Sequence, residues 1–353
     1  MICVVYGYIC EFKMKSIGKI NTLNKNIMPD MVIVENINEE ADGQRIDNFF
    51  FKRFKKVPKS HIYQLLRSGQ VRVNSKRINA DYRLQQNDKV RIPPIRTPQS
   101  SSLQNIKKIV KPSLAAFEVL FEDEWLLAIN KPSGIAVHGG SGISHGVIEQ
   151  LRARYPDWKF LELVHRLDRE TSGVLLLAKK RNALVEVHRQ IREGIVEKRY
   201  WVLVRGRWRN AKQSVKLALN KFVTADGERR VTVVSGRNEE KKELPAHTVF
   251  TLKKNWQNFS LLEAELKTGR THQIRVHLAH LGFPIAGDDK YGDFELNKQL
   301  MKGEQRLSLK RMFLHAGSLK MTHPATGEHI CLEAPLPNDL EVFLQRLDEE
   351  NAS

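Results

Sequence analysis

Asp168 is a carboxylate set among cations, in the run His165-Arg166-Leu167-Asp168-Arg169-Glu170-Thr171-Ser172-Gly173. The charged stretch stops at Val174-Leu175-Leu176-Leu177-Ala178, an apolar run of strand length. A carboxylate at the mouth of a core strand, with Arg166 and Arg169 beside it, can be held ionised and dry. That suits it to act as a nucleophile or a base on a substrate carbon. The plain alternative is a structural salt bridge, the commoner fate of a buried aspartate. A protein kinase is excluded. The order is Leu-Asp where a kinase has Asp-Leu, no glycine-rich kinase loop precedes it, and Gly292-Asp293-Phe294-Glu295 lacks the final glycine of D-F-G.

Three further blocks carry polar chemistry. Asn130-Lys131-Pro132-Ser133-Gly134, followed by Val137-His138-Gly139-Gly140-Ser141-Gly142, fits neither P-loop nor dinucleotide-binding spacing and by itself reads as a flexible loop after a strand. Glu197-Lys198-Arg199-Tyr200-Trp201-Val202 reads as a strand whose tyrosine is, taken alone, a cross-strand aromatic. Lys267-Thr268-Gly269-Arg270-Thr271-His272-Gln273-Ile274-Arg275-Val276-His277 opens a helix over 270–281, with Thr271 near its start and Gly282 just past its end. His272 and His277 are five apart, which misses the spacing of a zinc helix, and no carboxylates flank them. No metal site is expected.

The elements that must position these blocks fall into two regions. Over 43–95, Ile46, Phe49, Phe50 and Phe54 recur at helical spacing, as do Ile62, Leu65 and Leu66 after Ser60, a candidate cap. Short alternating runs follow at Val71–Asn74, Arg77–Asn79 and Lys89–Ile92. Residues 96–113 are polar and rich in Ser and Pro, a flexible linker. From 114 to 348 apolar strand-like runs alternate with a few helices. Strands are expected at 117–121, 126–130, 174–179, 200–204, 231–234, 246–252, 259–266, 314–321 and 330–333, with helices at 181–193, 270–281 and 337–348. This irregular order implies an α+β domain with a mostly antiparallel or mixed sheet. Residues 1–34 read as an extension, disordered or mis-started, with Met28 or Met31 as alternative starts.

Bulk properties agree with a polyanionic partner. The 353 residues carry 58 Lys and Arg against 40 Asp and Glu, a net charge of +18. Between Asp42 and Arg96 there are 14 Lys and Arg and 4 Asp and Glu, so the excess is concentrated at the front. The 3 cysteines show no paired spacing, which argues against a disulfide framework and fits a reducing compartment. No apolar stretch is long enough to span a bilayer, the first ten residues lack the flanks of a signal peptide, and the protein is expected in the cytoplasm.

Together the four blocks resemble, in order, the signatures of the large ribosomal-RNA pseudouridine synthase family: N-K-P-S-G-x-x-V-H at 130–138, H-R-L-D-x-x-T-S-G at 165–173, the tyrosine motif around Tyr200, and G-R-T-H-Q-I-R-V-H at 269–277. Residues 43–95 resemble the S4 RNA-binding domain, through Arg45-Ile46-Asp47 and Ser68-Gly69-Gln70-Val71-Arg72-Val73-Asn74. The likeness implies isomerisation of uridine in large-subunit ribosomal RNA, without cofactor, metal or membrane, by a monomer. It makes Asp168 the catalytic aspartate and Arg275 the cation that pairs with it and holds its charge. Tyr200 would stack on the extruded uracil and Arg166 would fill the space the base leaves. The C5 proton would leave through Tyr200 or water. RNA contacts are expected from His165, Arg169, Arg270 and His272, and in the first region from Arg53, Lys59, Arg67, Arg72, Lys76 and Arg77. Two rivals make different demands. A non-catalytic RNA-binding protein would show a broken H-R-L-D or no Arg275; a glycoside or nucleoside hydrolase needs a second carboxylate, Glu170 or Glu162, opposed to Asp168.

Overall fold

A computed structural model of the chain describes residues 32–54, 57–95, 117–139, 146–224, 229–234, 243–303 and 307–352. The chain divides into an N-terminal unit, Met1–Ile106, and a larger unit, Lys107–Ser353. The expected linker over 96–113 and the expected extension up to residue 31 lie outside the described residues.

In the N-terminal unit strand β1 (Ile33–Asn36) is followed by helices α1 (Ile46–Arg53) and α2 (Lys59–Arg67), then β2 (Arg72–Val73) and β3 (Lys89–Ile92). The strands form an antiparallel sheet in the order β1-β3-β2. Each helix has one apolar stripe, Ile46 and Phe50 on α1 and Ile62, Leu65 and Leu66 on α2, and buries it with Val71, Val73, Leu84, Val90 and Ile92. Three expectations need correction here. Ser60 lies inside α2, and Pro58 takes the capping position. The run Arg77–Asn79 is no strand: Asn74 and Ser75 both adopt left-handed φ (48° and 67°), closing a tight turn, and after one bridge from Val73 to Lys76 the chain leaves the sheet. Residues 33–34, read as part of the extension, belong to β1.

The larger unit is built on one mixed sheet. Its elements are β4 (Glu118–Glu122), β5 (Leu126–Lys131), α3 (Val147–Arg154), β6 (Glu162–Leu163), β7 (Ser172–Ala178), α4 (Arg181–Glu193), β8 (Glu197–Arg205), β9 (Lys212–Lys216), β10 (Leu219–Val223), β11 (Arg229–Val233), β12 (His247–Asn255), β13 (Phe259–Leu266), α5 (Gln273–His280), α6 (Phe294–Lys302), β14 (Leu314–Thr322), β15 (His329–Glu333) and α7 (Asn338–Ala352). The sheet order is β4-β5-β7-β14-β8-β13-β12-β9, with β15 beside β14 and β6 beside β7, while β10 and β11 pair with each other. The architecture is α+β, as the irregular element order implied. The described pairings are antiparallel except β7 with β14, where Ser172 lies against His315 and Gly173 against Ala316.

From Val174 onward strand β7 is apolar because both of its faces are covered. Leu175 and Leu177 enter one core with α3 and α5 side chains such as Leu151, Ile274 and Leu278. Val174, Leu176 and Ala178 enter another with Ala183 and Val187 of α4. The two-residue period thus sorts a continuous apolar run into two layers. The mouth of this doubly covered strand is where Asp168 stands.

Candidate active site

The Asp168 loop is fastened from three sides. Leu167, 4% exposed, enters the core between the two polar residues and anchors the loop by about 2 kcal/mol of apolar burial. Lys131, at the end of β5, is wholly buried and donates to the carbonyls of Pro132 (2.8 Å), Ile135 (2.7 Å) and Arg169 (3.0 Å). Burial pushes its ammonium down to about 7, while the three carbonyls take all three of its N–H bonds. Ser133 Oγ donates to the Glu170 carbonyl, and the Gly134 N–H to that of Arg169. The N-K-P-S-G block is therefore a clamp on the Asp168 loop.

On the other side Ser172 Oγ accepts from Arg311 (2.6 Å) and bonds His315 Nδ1 (2.8 Å), whose Nε2 donates to the Ala334 carbonyl. Gly173 has φ +108°, and a Cβ there would stand 2.2 Å from the Ala316 carbonyl oxygen across the parallel pairing. Only glycine admits that approach. The T-S-G signature is thus the junction of loop and sheet.

Helix α5 brings in the cation. Arg275, 3% exposed, turns Nε and Nη2 onto Asp288 at 2.7 and 2.6 Å and points Nη1 at Asp168, 3.4 Å away. Burial opposes ionisation of Asp288, but the Arg275 hydrogen bonds and the Lys290 and Tyr291 N–H groups hold it below the usual carboxylate range. Arg275 also lies over the Tyr291 ring, 5.1 Å from its centre. The fork is therefore oriented by Asp288 before any substrate arrives, with one edge left for Asp168.

The helix begins at Gln273, later than the expected 270, and Thr271 does not cap it. His272 holds the preceding position in a left-handed backbone, φ 53°, which is strained for a residue with a Cβ. Gln273 makes the entry possible. Its Oε1 accepts from Thr268 and the Arg270 N–H, and its Nε2 donates to the His247 carbonyl and Thr248. The hydroxyl of Tyr291 accepts the Val231 N–H and meets His272 Nδ1 at 2.9 Å, so His272 Nε2 faces Asp168 at 3.9 Å. Burial lowers the His272 imidazole and keeps it neutral.

Around Asp168 opens a cleft of about 590 Å³ that brings together His165, Arg166, Tyr200, Arg270, His272 and Arg275. Tyr200 is buried, and burial together with the Asp168 charge pushes its phenol well above the usual value. Asp168 is the sole acidic side chain lining the cleft among the described residues, against Arg166, Arg192, Lys198, Lys267, Arg270 and Arg275. His165 is a prop: Nε2 accepts the Leu176 N–H, and burial pushes its imidazole down to about 3, so it offers RNA no cation at neutral pH. Arg169 does not line the cleft; it donates to the Gly134 carbonyl and pairs with Glu170. Glu162 pairs with Arg152, so neither candidate second carboxylate reaches Asp168's cleft. In the N-terminal unit Arg53 is taken up by Glu35 at 2.6 Å and Arg72 is half-buried, while Lys59, Arg67, Lys76 and Arg77 are exposed.

Sequence reasoning assigned no role to Lys131, Asp288, Gln273, Tyr291 or Lys198. A signal existed for Asp288, an acid in a glycine-rich turn, but its partner Arg275 lies thirteen residues away across a helix, and only the fold joins them. Among the described residues no group of three His, Cys, Asp or Glu side chains is arranged to hold a metal ion, and no helix is long and apolar enough to cross a membrane.

Residues 125–280 match the family model described as RNA pseudouridylate synthase, and residues 44–90 match that of the S4 domain. A ribosomal large subunit pseudouridine synthase C of Pasteurella multocida is 48% identical over 330 residues, covering 94% of this chain and 98% of that protein. The protein of the same description from Escherichia coli (strain K12) is 49% identical over 323 residues, 92% of this chain and 98% of that one. Among solved structures, human RNA pseudouridylate synthase domain containing 4 superposes with a TM-score of 0.52 at 26% identity, covering 65% of this chain and 93% of that one. Human RNA pseudouridylate synthase domain containing 1 has a TM-score of 0.51 at 24% identity, with coverage of 67% and 96%, a likeness of fold.

Proposed function

The chain belongs to the RNA pseudouridylate synthase family, and we propose that it isomerises specific uridines of large-subunit ribosomal RNA to pseudouridine with Asp168 as the catalytic carboxylate. The observation that carries this reading is the cleft in which one acid, Asp168, faces otherwise cationic charge and is met by an arginine pre-oriented by Asp288. A hydrolase would need a second carboxylate and an admitted water there. A polyanion with one reactive carbon fits instead.

In this mechanism the target uridine is flipped out of its stack into the cleft, at a cost of a few kcal/mol. Arg166, exposed at the rim, takes the space it leaves, and the uracil lies on Tyr200. Asp168 attacks C1′ or removes the C2′ proton, and the N1–C1′ bond breaks. Arg275 balances the carboxylate charge throughout. The detached uracil turns within the cleft and C5 bonds to C1′ as the Asp168–C1′ ester bond breaks or, in the base route, as Asp168 returns the proton to C2′; the C5 proton leaves and N1 takes one up, so atoms and charge balance without a co-reactant. Because burial and Asp168 raise the Tyr200 phenol, Tyr200 stays protonated, and water is the better acceptor for the C5 proton. The exposed cations Lys59, Arg67, Lys76 and Arg77 of the N-terminal unit supply salt-sensitive phosphate contacts.

The test is nucleoside analysis of large-subunit ribosomal RNA transcript after incubation with the protein. The reading requires pseudouridine within the chain and no free uracil. Free uracil would instead support the hydrolase.

A further inference from the structure

Among the described residues of the larger unit two lysines are buried, and their amino groups have opposite surroundings. Lys131 has a carbonyl for each N–H. Lys198 on β8 is only 9% exposed and makes no hydrogen bond or ion pair with any described residue. Nearby acids are engaged elsewhere: Glu197 and Glu263 pair with Arg199, and Glu265 pairs with Lys267. Asp168 faces Arg275. Uncompensated burial lowers the Lys198 ammonium.

Strand geometry sets where this amino group looks. The first residues of β8 alternate between half-buried and buried, and Lys198 and Tyr200 are both buried positions, so they leave the same face of the strand. Both line the Asp168 cleft. Their Cα atoms are two residues apart, about 7 Å along the strand. A largely buried lysine that opens onto a cleft with no described anion beside it calls for a partner that arrives later. Asp168 apart, the other charged residues lining the cleft are cations, which makes that partner an anion on the substrate.

We infer that Lys198 receives a backbone phosphate flanking the target uridine, held at one end of the cleft while the uracil lies on Tyr200. The inference rests on the proposed reading of the cleft as the uridine pocket. The contact is a charge-assisted hydrogen bond, and the phosphate restores the ammonium that burial disfavours. It places the ribose along β8 with C1′ toward Asp168. Unlike a surface contact, it is shielded from salt.

The test uses the full-length protein and a ribosomal RNA fragment around a uridine that the wild-type protein converts. Fragments carrying a neutral methylphosphonate at the linkage on one side or the other are compared with the unmodified one. Lys198→Met keeps the length of the side chain and removes the charge; Lys198→Gln serves if the methionine variant does not fold. Expected are a rise of roughly tenfold or more in KM for the variant, a similar rise for wild type with one of the two methylphosphonates, and no further rise when both changes are combined. Wild type indifferent to both methylphosphonates, an additive loss, or a loss in kcat with KM unchanged overturns the phosphate assignment. If wild type forms no pseudouridine in any ribosomal RNA fragment, the reading of the pocket fails, and this inference with it.

Discussion

In the N-terminal unit the buried charges are two acids, Asp47 and Asp88, and most cations lie outside. Asp47 is buried against Arg45 and the Asn48 N–H, and Asp88 is buried among Asn74, Tyr82 and the Gln85 N–H, while Lys59, Arg67, Lys76 and Arg77 project into solvent. The larger unit does the reverse around the Asp168 loop, where Lys131 is buried beneath it and Lys198 and Arg275 are buried in the cleft wall. Exposed cations attract a polyanion at long range and lose that hold as salt rises. Buried ones are costly to install but act at full strength on whatever reaches them. On the proposed function, the contrast separates two tasks, gathering RNA and acting on one nucleotide of it.

The largest effect expected from breaking the buried side is that of Asp288→Asn. With its fork partner neutralised, Arg275 leans onto Asp168, and kcat should fall by about a hundredfold or more, ~3 kcal/mol, in single-turnover assays. A change of only a few-fold would mean that Asp288 does not orient Arg275. Lys131→Met strands three carbonyls and should lower stability by about 2–4 kcal/mol in urea titration. An unchanged midpoint would deny the clamp.

Acid should pull the two units apart. His165 and His315 are pushed down to about 3 and about 4 by burial, from 6.5. They stay neutral in the fold and take up protons when unfolded, so the larger unit should lose stability progressively as pH falls below about 6.5 toward those values. Asp47, held low first by its Arg45 hydrogen bond, acts in the same direction but only at lower pH. Its contribution is present in full above the ordinary aspartate value of 3.8 and is lost as pH falls through its lower folded value. All 5 tryptophans lie in the larger unit, so their fluorescence reports it alone, and amide signals of β3 report the other. Simultaneous melting near pH 4 would break the comparison. The smallest effect belongs to the surface: changing Lys59, Arg67, Lys76 and Arg77 to Gln should leave kcat unchanged and flatten the log–log salt dependence of RNA binding by less than one per lost contact.

The sequence reading recovered most strands because a run such as Val174–Ala178 is apolar throughout, which the two-sided cover of β7 demands. It missed α3 and α6, whose apolar residues are few: Val147, Ile148 and Leu151 in one and a single buried Leu300 in the other. The Asp293 cap and the glycine at 303 did mark α6, and they went unused. At the site, residues contiguous in the chain were legible, Asp168 foremost. Partners joined only by folding, such as Lys131 with the Arg169 carbonyl, Arg275 with Asp288, or Arg311 with Ser172, leave no local pattern to read.

The central claim is that Asp168 performs uridine isomerisation in a cationic cleft. Its most direct test is tritium release from large-subunit ribosomal RNA labelled at C5 of uridine, with wild type and Asp168→Asn side by side. Release by wild type alone, with both proteins binding the RNA equally, is the predicted result. Equal release by both would contradict the role of Asp168, and RNA binding without release by either would contradict the assignment of this activity to the cleft.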